Sequence, residues 1–416
     1  MLSPKLNIYI MTFDNNQELF VGLLKAGLWA DQRRGLGSST SEVSKSSAQF
    51  HVSSDVDWGK VFQLAQEQSV QGVVLRGIEE LQARNLELNV PKVLLLQWIG
   101  EVQIIEQRNK EMNVFVADLI EKLRKNDIYA ILVKGQGIAR CYEKPLWRAC
   151  GDVDLLLSDT NYERASKFLT KEASSVDEEN PYNKHLAMTI DGWSVELHGT
   201  LRGSITRIDR VIDEVQGDVF LGGKVRSFDF KNSCGSMVQV FLPAPDEDVF
   251  FVFTHILQHF FFEGIGLRQI CDWCRLLWTY KESLDYRLLE SRIYKAGIMK
   301  EWEAFGTFAV VYLGMPVEAM PYLDVRSKMD DGKCEIDKHM KRKADRILKF
   351  VLESGNFGHN RDISYKQKYP FVLRYAMSFW LYTKLAMQRF AISHRNAIMA
   401  WWAVVKMGAN AAAKAI

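Results

Sequence analysis

Residues 152 to 157, Asp-Val-Asp-Leu-Leu-Leu, constrain the fold of this chain more tightly than any other stretch. The run is too short for a stable helix and suits a buried strand, whose side chains alternate between two faces. Asp152 and Asp154 then share one face while Val153 points to the other. Such a strand needs neighbours. A short apolar run at 129 to 133, stopping abruptly at Lys134-Gly135, predicts a second strand entering a turn. Ile138 to Tyr142 is expected to begin a helix, and after a loop containing Pro145 and the 152–157 strand, Asp159-Thr160 is expected to cap a helix through Leu169. The runs from His185 to Ile190 and from Trp193 to His198 alternate in polarity and are joined by Asp191-Gly192. That pair suits a type I′ turn and predicts a hairpin.

Helical periodicity surrounds these strands. Val61, Leu64 and Ala65 recur at helical spacing after Trp58, and a longer pattern after Pro91 runs through Trp98, Val102, Ile105, Met112, Val116, Leu119 and Leu123. From Pro243 the chain returns to helix, with Asp246 near its start. The layout is an α+β fold, a small mixed-sheet core inserted between helical regions. The expected boundaries are 1–126 for an N-terminal helical region, 127–242 for the core, 243–362 for a helical domain and 363–416 for a basic, aromatic-rich tail. Within the first region the Ser- and Gly-rich segment 32–54 reads as a mobile loop. No repeat of 20 to 50 residues is visible, which excludes solenoids and propellers.

Carboxylates converging on one sheet face are the donor set for divalent-metal chemistry on phosphates, where charge developing on oxygen must be neutralised. Asp152 and Asp154 supply two. Glu196, in Ser-Val-Glu-Leu-His with apolar flanks directed to a core, is placed to supply a third from a neighbouring strand. The turn at Lys134, Gly135 and Gln136 joins a strand to a helix and is expected to face phosphate groups.

Leu132-Val-Lys-Gly135, Arg148 ahead of Gly151-Asp-Val-Asp-Leu-Leu156, and Val195-Glu-Leu-His198 together resemble the poorly characterised bacterial nucleotidyltransferase-family proteins of the DNA polymerase β superfamily. Weaker matches reach Asp57-Trp58, Pro245 with His255, Leu267 to Asp272, and Gly355-Asn-Phe-Gly358, so the resemblance covers most of the chain. It implies that Asp152 and Asp154 bind magnesium, with manganese as an alternative, that Glu196 is the third acid, and that the Lys134-Gly135 turn faces the nucleotide phosphates. One departure stands out. The superfamily usually carries Gly-Ser or Gly-Gly at this turn, whereas Gly135 is followed here by Gln136, so Lys134 is expected to supply charge in place of a turn hydroxyl.

Other residues have competing readings. Arg148 either contacts phosphate, positions Asp152 or forms a loop salt bridge. His198 reads as a satisfied polar residue at a hairpin end, in preference to a group that orients Glu196 or relays a proton. His255 and His259 share a helical face, but Ile256 stands where a zinc protease needs an acid. Arg268 and Asp272, spaced i and i+4, form either a surface ion pair or part of the active-site wall, where they would join Lys134, Gly135, Gln136 and Arg148 in nucleotide binding. Cys271 and Cys274 have no second pair at zinc-site spacing and read as buried helical cysteines.

The last acidic residue is Asp362, and eight cations follow it. With a net charge of +2 for the whole chain, this leaves the preceding residues at about −6. Three explanations suit the tail: packing on the acidic remainder, peripheral contact with an anionic membrane, or RNA binding. No stretch suits a spanning helix or a signal peptide, so a cytoplasmic place is expected, with contact at the inner face of the membrane as an option. The expected activity is magnesium-dependent transfer of a nucleoside monophosphate from a triphosphate, ATP by preference, onto an acceptor hydroxyl with release of pyrophosphate. The alternatives are a toxin-like enzyme modifying tRNA or a partner protein, and a non-catalytic nucleotide-binding or membrane-associated scaffold.

Overall fold

The computed structural model describes residues 13–30, 55–180, 182–323, 337–356 and 371–415. The segment 32–54, the residues Phe357 and Gly358, and Lys366 and Lys368 of the basic tail lie outside them.

An α+β layout is observed. Five strands form one mixed sheet: β1 (Ala130–Val133), β2 (Val153–Leu157), β3 (Ser175–Val176), β4 (His185–Ile190) and β5 (Trp193–His198). Their order is β1-β2-β5-β4-β3, with β2 and β5 parallel and the other neighbours antiparallel. The β4–β5 turn has Asp191 at φ 50° and Gly192 at φ 80°, as the type I′ reading requires.

Period-two alternation divides this sheet cleanly. Val153, Leu155, Leu157, Leu186, Met188, Ile190, Val195 and Leu197 face one buried cluster with Met112 to Leu123 of the long helix Lys92–Lys125 and with Tyr162, Ala165 and Leu169. Ile131, Val133 and Leu156 face the other cluster, built mostly from helices and reaching from Leu19 to Ala400. Helices on either side of the sheet core in sequence therefore share one interior. The long helix bridges both clusters, since its Trp98 and Val102 belong to the second. Within the helical cluster, Asn15–Leu28 crosses Gln71–Gln82 at Gly27 and Gly77. A Cβ on Gly27 would lie 1.9 Å from the Val73 carbonyl oxygen, so only glycine permits this approach.

Several local expectations are corrected. The helix after β1 runs Gly135–Ala139 and does not begin at Ile138, because Lys134, at φ 58° and ψ −144°, turns the chain so sharply that helical bonds start at the next residue. Ser158, not Asp159, is the cap residue of the helix Asp159–Leu169; Asp159 lies in the first turn and pairs with Lys184 at 3.0 Å. A helix at Asp209–Phe220 and a second two-stranded sheet, β6 (Val225–Lys231) with β7 (Met237–Pro243), were not foreseen. Pro243 consequently ends a strand, and the following helix runs Pro245–Phe262.

The tail forms helices Phe371–Phe390 and His394–Ala415, packed on each other and on Pro245–Phe262. Arg389 donates to the Phe261 carbonyl and Asn396 to Glu301, so one side of the tail is tied into the protein. The other side leaves Leu373, Phe379, Trp380, Met387 and Trp402 exposed. Among the described residues no helix is long and apolar enough to cross a membrane. Cys271 and Cys274 are fully buried in the helix Leu267–Tyr280.

Candidate active site

The sheet face opposite the Met112–Leu123 helix carries the polar residues. Asp154 and Leu156 leave β2 on this side, and Glu196 and His198 leave β5 on it, because Val195 and Leu197 take the apolar side. The parallel register sets Asp154 directly beside Glu196, while Asp152 sits at the mouth of β2. These residues, with Lys134, Gly135, Arg148, His185, His255, His259, Arg268 and Asp272, line one cavity of about 550 Å³. The helix Pro245–Phe262 forms its opposite wall through His255 and His259.

Lys134 is central to this arrangement. Its Nζ lies 2.6 Å from Asp154 Oδ1 and 3.4 Å from His255 Nε2. Its positive φ is unusual for a residue with a side chain, and strain of this kind is commonly held at functional turns at a cost of about 1–3 kcal/mol. Gly135 follows at φ 36°, and a Cβ placed on it would lie 3.4 Å from the Asp152 carbonyl oxygen, so the turn runs close to the mouth of β2. His198 Nε2 lies 2.9 Å from Asp154 Oδ1 and 3.5 Å from Glu196 Oε2, and His185 Nε2 lies 3.1 Å from the same Glu196 oxygen. A second line of groups runs outward: His255 and His259 meet through their Nε2 atoms at 3.2 Å, and His259 Nδ1 is 2.7 Å from Glu263.

Electrostatics differentiate the carboxylates. Burial pushes the Asp152 carboxyl up, and the neighbouring charges of Glu196 and Asp154 push it further. Burial also pushes Glu196 up, but hydrogen bonds with His185 and His198 and the charge of Lys134 outweigh it and hold the group well below the usual carboxylate range. Lys134 and His198 are pulled down by burial and raised, on balance, by their acidic neighbours. His255 is held well below the usual histidine value, first by burial and then by the Lys134 charge. Asp152 therefore carries a stability cost. A carboxyl raised in the folded chain loses stability as pH climbs past the ordinary aspartate value of about 3.9, where the unfolded chain ionises first, and the full cost is present above its folded value. At pH 7, Asp152→Asn is expected to raise the thermal midpoint, a result that a melting curve of the two proteins checks directly; at pH 3 the difference should vanish.

A model of the uncharacterised nucleotidyltransferase family matches residues 54–314, which contain every residue of this cavity wall. The chain belongs to that family. No curated protein and no solved structure matches it. As a member of the uncharacterised nucleotidyltransferase family it is an enzyme of nucleotidyl transfer, and such families generally use a nucleoside triphosphate and a divalent metal. The family match begins just before the helix Trp58–Glu67, whose cap Asp57 accepts from the backbone of Gly59 and Lys60, and ends at the helix Met299–Leu313; the tail helices lie beyond it.

The family wall contains one arrangement that differs from the sequence reading. Asp272 does not pair with Arg268 along its helix; it forms a two-pronged ion pair with Arg148, whose Nε lies 3.0 Å from Oδ1, and accepts from the Tyr142 hydroxyl at 2.8 Å. Both partners are buried, so Arg148 positions the loop into β2 instead of presenting a free guanidinium. Arg268 donates to the Ala149 carbonyl at 2.7 Å in the same loop. Gln136 is a correction too: it is buried, turns its amide toward Met112 Sδ and is absent from the cavity lining, because the helix turn at Gly135 sends it to the apolar side. Lys134, Gly135, Arg148, Arg268, Asp272, Asp152, Asp154 and Glu196 are brought together. His185 was overlooked as a site residue, although its alternation with Leu186 and its place opposite His198 carried the signal. His198 is satisfied as a polar residue of the hairpin, with Asp154 and Glu196 as its partners.

Proposed function

We propose that this nucleotidyltransferase moves a nucleoside monophosphate from a triphosphate, ATP in the first instance, onto an acceptor hydroxyl, releasing pyrophosphate, with magnesium as the working cation and manganese as a substitute. The observation that carries the reading is the parallel register of β2 and β5, which sets Asp154 beside Glu196 with Asp152 two residues back at the same cavity. The donor set fits the metal. Asp152, Asp154 and Glu196 offer only hard oxygen atoms, and a cation, the Lys134 ammonium, already sits 2.6 Å from Asp154. When bound, the divalent ion neutralises charge developing on the phosphate oxygens.

The chain's own residues do the rest. Asp152 and Asp154 would hold the metal, and Glu196 would ligate a second or receive the proton of the hydroxyl. Lys134 exchanges Asp154 for the phosphates of the triphosphate. The acceptor oxygen forms a bond to the α-phosphorus as the bond to the bridging α,β-oxygen breaks, and that electron pair leaves with pyrophosphate. The buried Arg148–Asp272 pair and Arg268 hold the loop that delivers Asp152. Acceptor label is expected from a triphosphate labelled at the α-position and only labelled pyrophosphate from one labelled at the γ-position. Acceptor label from the γ-position would make the reaction phosphoryl transfer and overturn the reading.

The tail is assigned to peripheral contact with an anionic lipid surface. Exposed Trp380, Phe379, Met387 and Trp402 share these helices with Lys384, Arg395 and Lys406, and no acid follows Asp362 in the sequence. Trp380→Ala/Trp402→Ala is expected to reduce sedimentation with phosphatidylserine-containing vesicles by about tenfold or more, at roughly 1.5–3 kcal/mol for each buried aromatic. Equal sedimentation of the two proteins would contradict the assignment, and salt-sensitive retention of RNA in its place would favour the toxin-like tRNA reading.

A further inference from the structure

We propose that His185, Glu196 and His198 form a three-donor site for a borderline transition cation, with Zn²⁺ as its type, beside the oxygen-only donors Asp152 and Asp154. The inference deepens the reading above by giving an identity to the second cation at Glu196, and it rests on that reading only for the cation's role.

The placement follows from strand register. His185 and His198 are paired across the β4–β5 hairpin, so their rings stand side by side with centroids 4.9 Å apart. Glu196, two residues before His198, shares their face, and its cross-strand partner is the small Ala187, which leaves room above the carboxylate. His185 Nε2 is 3.1 Å and His198 Nε2 3.5 Å from the same Glu196 Oε2, and His198 Nε2 also lies 2.9 Å from Asp154 Oδ1, a contact that the cation would replace. All three donor atoms lie within 4.8 Å of one another. The edge of a tetrahedron with metal bonds of about 2.0–2.1 Å is roughly 3.3–3.4 Å. The two separations to Glu196 bracket that edge, and the third, between the imidazoles, is no more than 4.8 Å, a gap that side-chain rotation can close around a cation.

Ligand chemistry sets the preference. Two imidazoles and one carboxylate suit zinc and its first-row neighbours, whereas magnesium favours an octahedron of oxygen atoms and retains several waters. Three protein ligands leave a fourth position, as in sites where zinc meets water or substrate. Here that position opens into the cavity the three residues line, toward Asp154 and Lys134. A phosphate or hydroxyl oxygen of the substrate is the group that fits it.

The test uses the full chain, stripped of metal and free of nucleotide, titrated with Zn²⁺ in a large excess of Mg²⁺ and, separately, with Co²⁺ as an optical probe of coordination. One equivalent of Zn²⁺ is expected to bind, and Co²⁺ should give the visible absorption of a four-coordinate site. His185→Ala should weaken Zn²⁺ binding by more than about tenfold, the lower end of losses seen on perturbing metal sites. His185→Cys, which keeps a zinc ligand at that position, should restore it. His185 is partly exposed at the start of its strand, and the Cys variant separates loss of a ligand from loss of folding. Displacement of Zn²⁺ by Mg²⁺, or equal Zn²⁺ binding by the wild type and His185→Ala, would overturn the proposal. Because binding is read without nucleotide, its failure leaves the transfer reading standing, and a failure of transfer leaves this one.

Discussion

Asp272→Ala is expected to cost about 3–5 kcal/mol of folding stability, the range found when one partner of a buried ion pair is removed. Arg148 and Asp272 are both almost completely buried, and the guanidinium holds the carboxylate with two nitrogens. Burial alone would pull Arg148 down, yet the Asp272 charge holds it well above the ordinary arginine value. Without Asp272 the guanidinium stays charged and buried beside Arg268 with its carboxylate gone, and the Tyr142 hydroxyl loses its acceptor. Replacing both partners, as in Arg148→Met/Asp272→Leu, should recover most of the loss, because the stranded charge is then gone. Urea midpoints of the two variants measure the difference. Transfer activity should fall in both, since the loop from Arg148 to Gly151 sets Asp152 at the cavity and would then rely on bonds to its backbone carbonyls, by Asn109 at Arg148 and by Arg268 at Ala149, and on the packing of Cys150.

Asp154→Asn is expected to lower kcat/KM by more than about a thousandfold, in line with losses on removing a group that acts directly in catalysis. Asparagine keeps the shape and takes away the charge. Lys134 would retain the fields of Glu196 and Asp152, so the fold should survive, and a melting curve close to that of the wild type is part of the prediction. Steady-state rates with α-labelled triphosphate supply the number. Activity within about tenfold of wild type would remove Asp154 from the metal-holding role.

Legibility in the sequence followed the strength of periodic signals. The strands at Ala130–Val133 and Val153–Leu157 were readable as short apolar runs, the first stopping at Lys134-Gly135, and the hairpin because its alternating strands meet at Asp191-Gly192, a turn pair of defined geometry. The common face of Asp152, Asp154 and Glu196 followed from the same alternation. What was not readable depends on contacts between distant segments. Residues 225 to 243 alternate, yet their charged and exposed positions hid a two-stranded sheet that is completed by packing beside β1. The Arg148–Asp272 pair spans 124 residues, and nothing in local spacing distinguishes it from the i, i+4 pairing with Arg268. Gln136 was misplaced because the direction of its side chain depends on the backbone turn at Lys134, and a positive φ at lysine leaves no mark in sequence. His185 became a site residue only once the hairpin register set it opposite His198.

The most direct test of nucleotidyl transfer at Asp152, Asp154 and Glu196 is label transfer from α-labelled triphosphates into a cell extract, with magnesium or manganese, by the intact protein and by Asp152→Asn/Asp154→Asn. The account predicts an acceptor that becomes labelled with the intact protein and stays unlabelled with the variant, the labelled species then identifying the acceptor class. Equal labelling by the two proteins, or none from any of the four nucleotides, would contradict it.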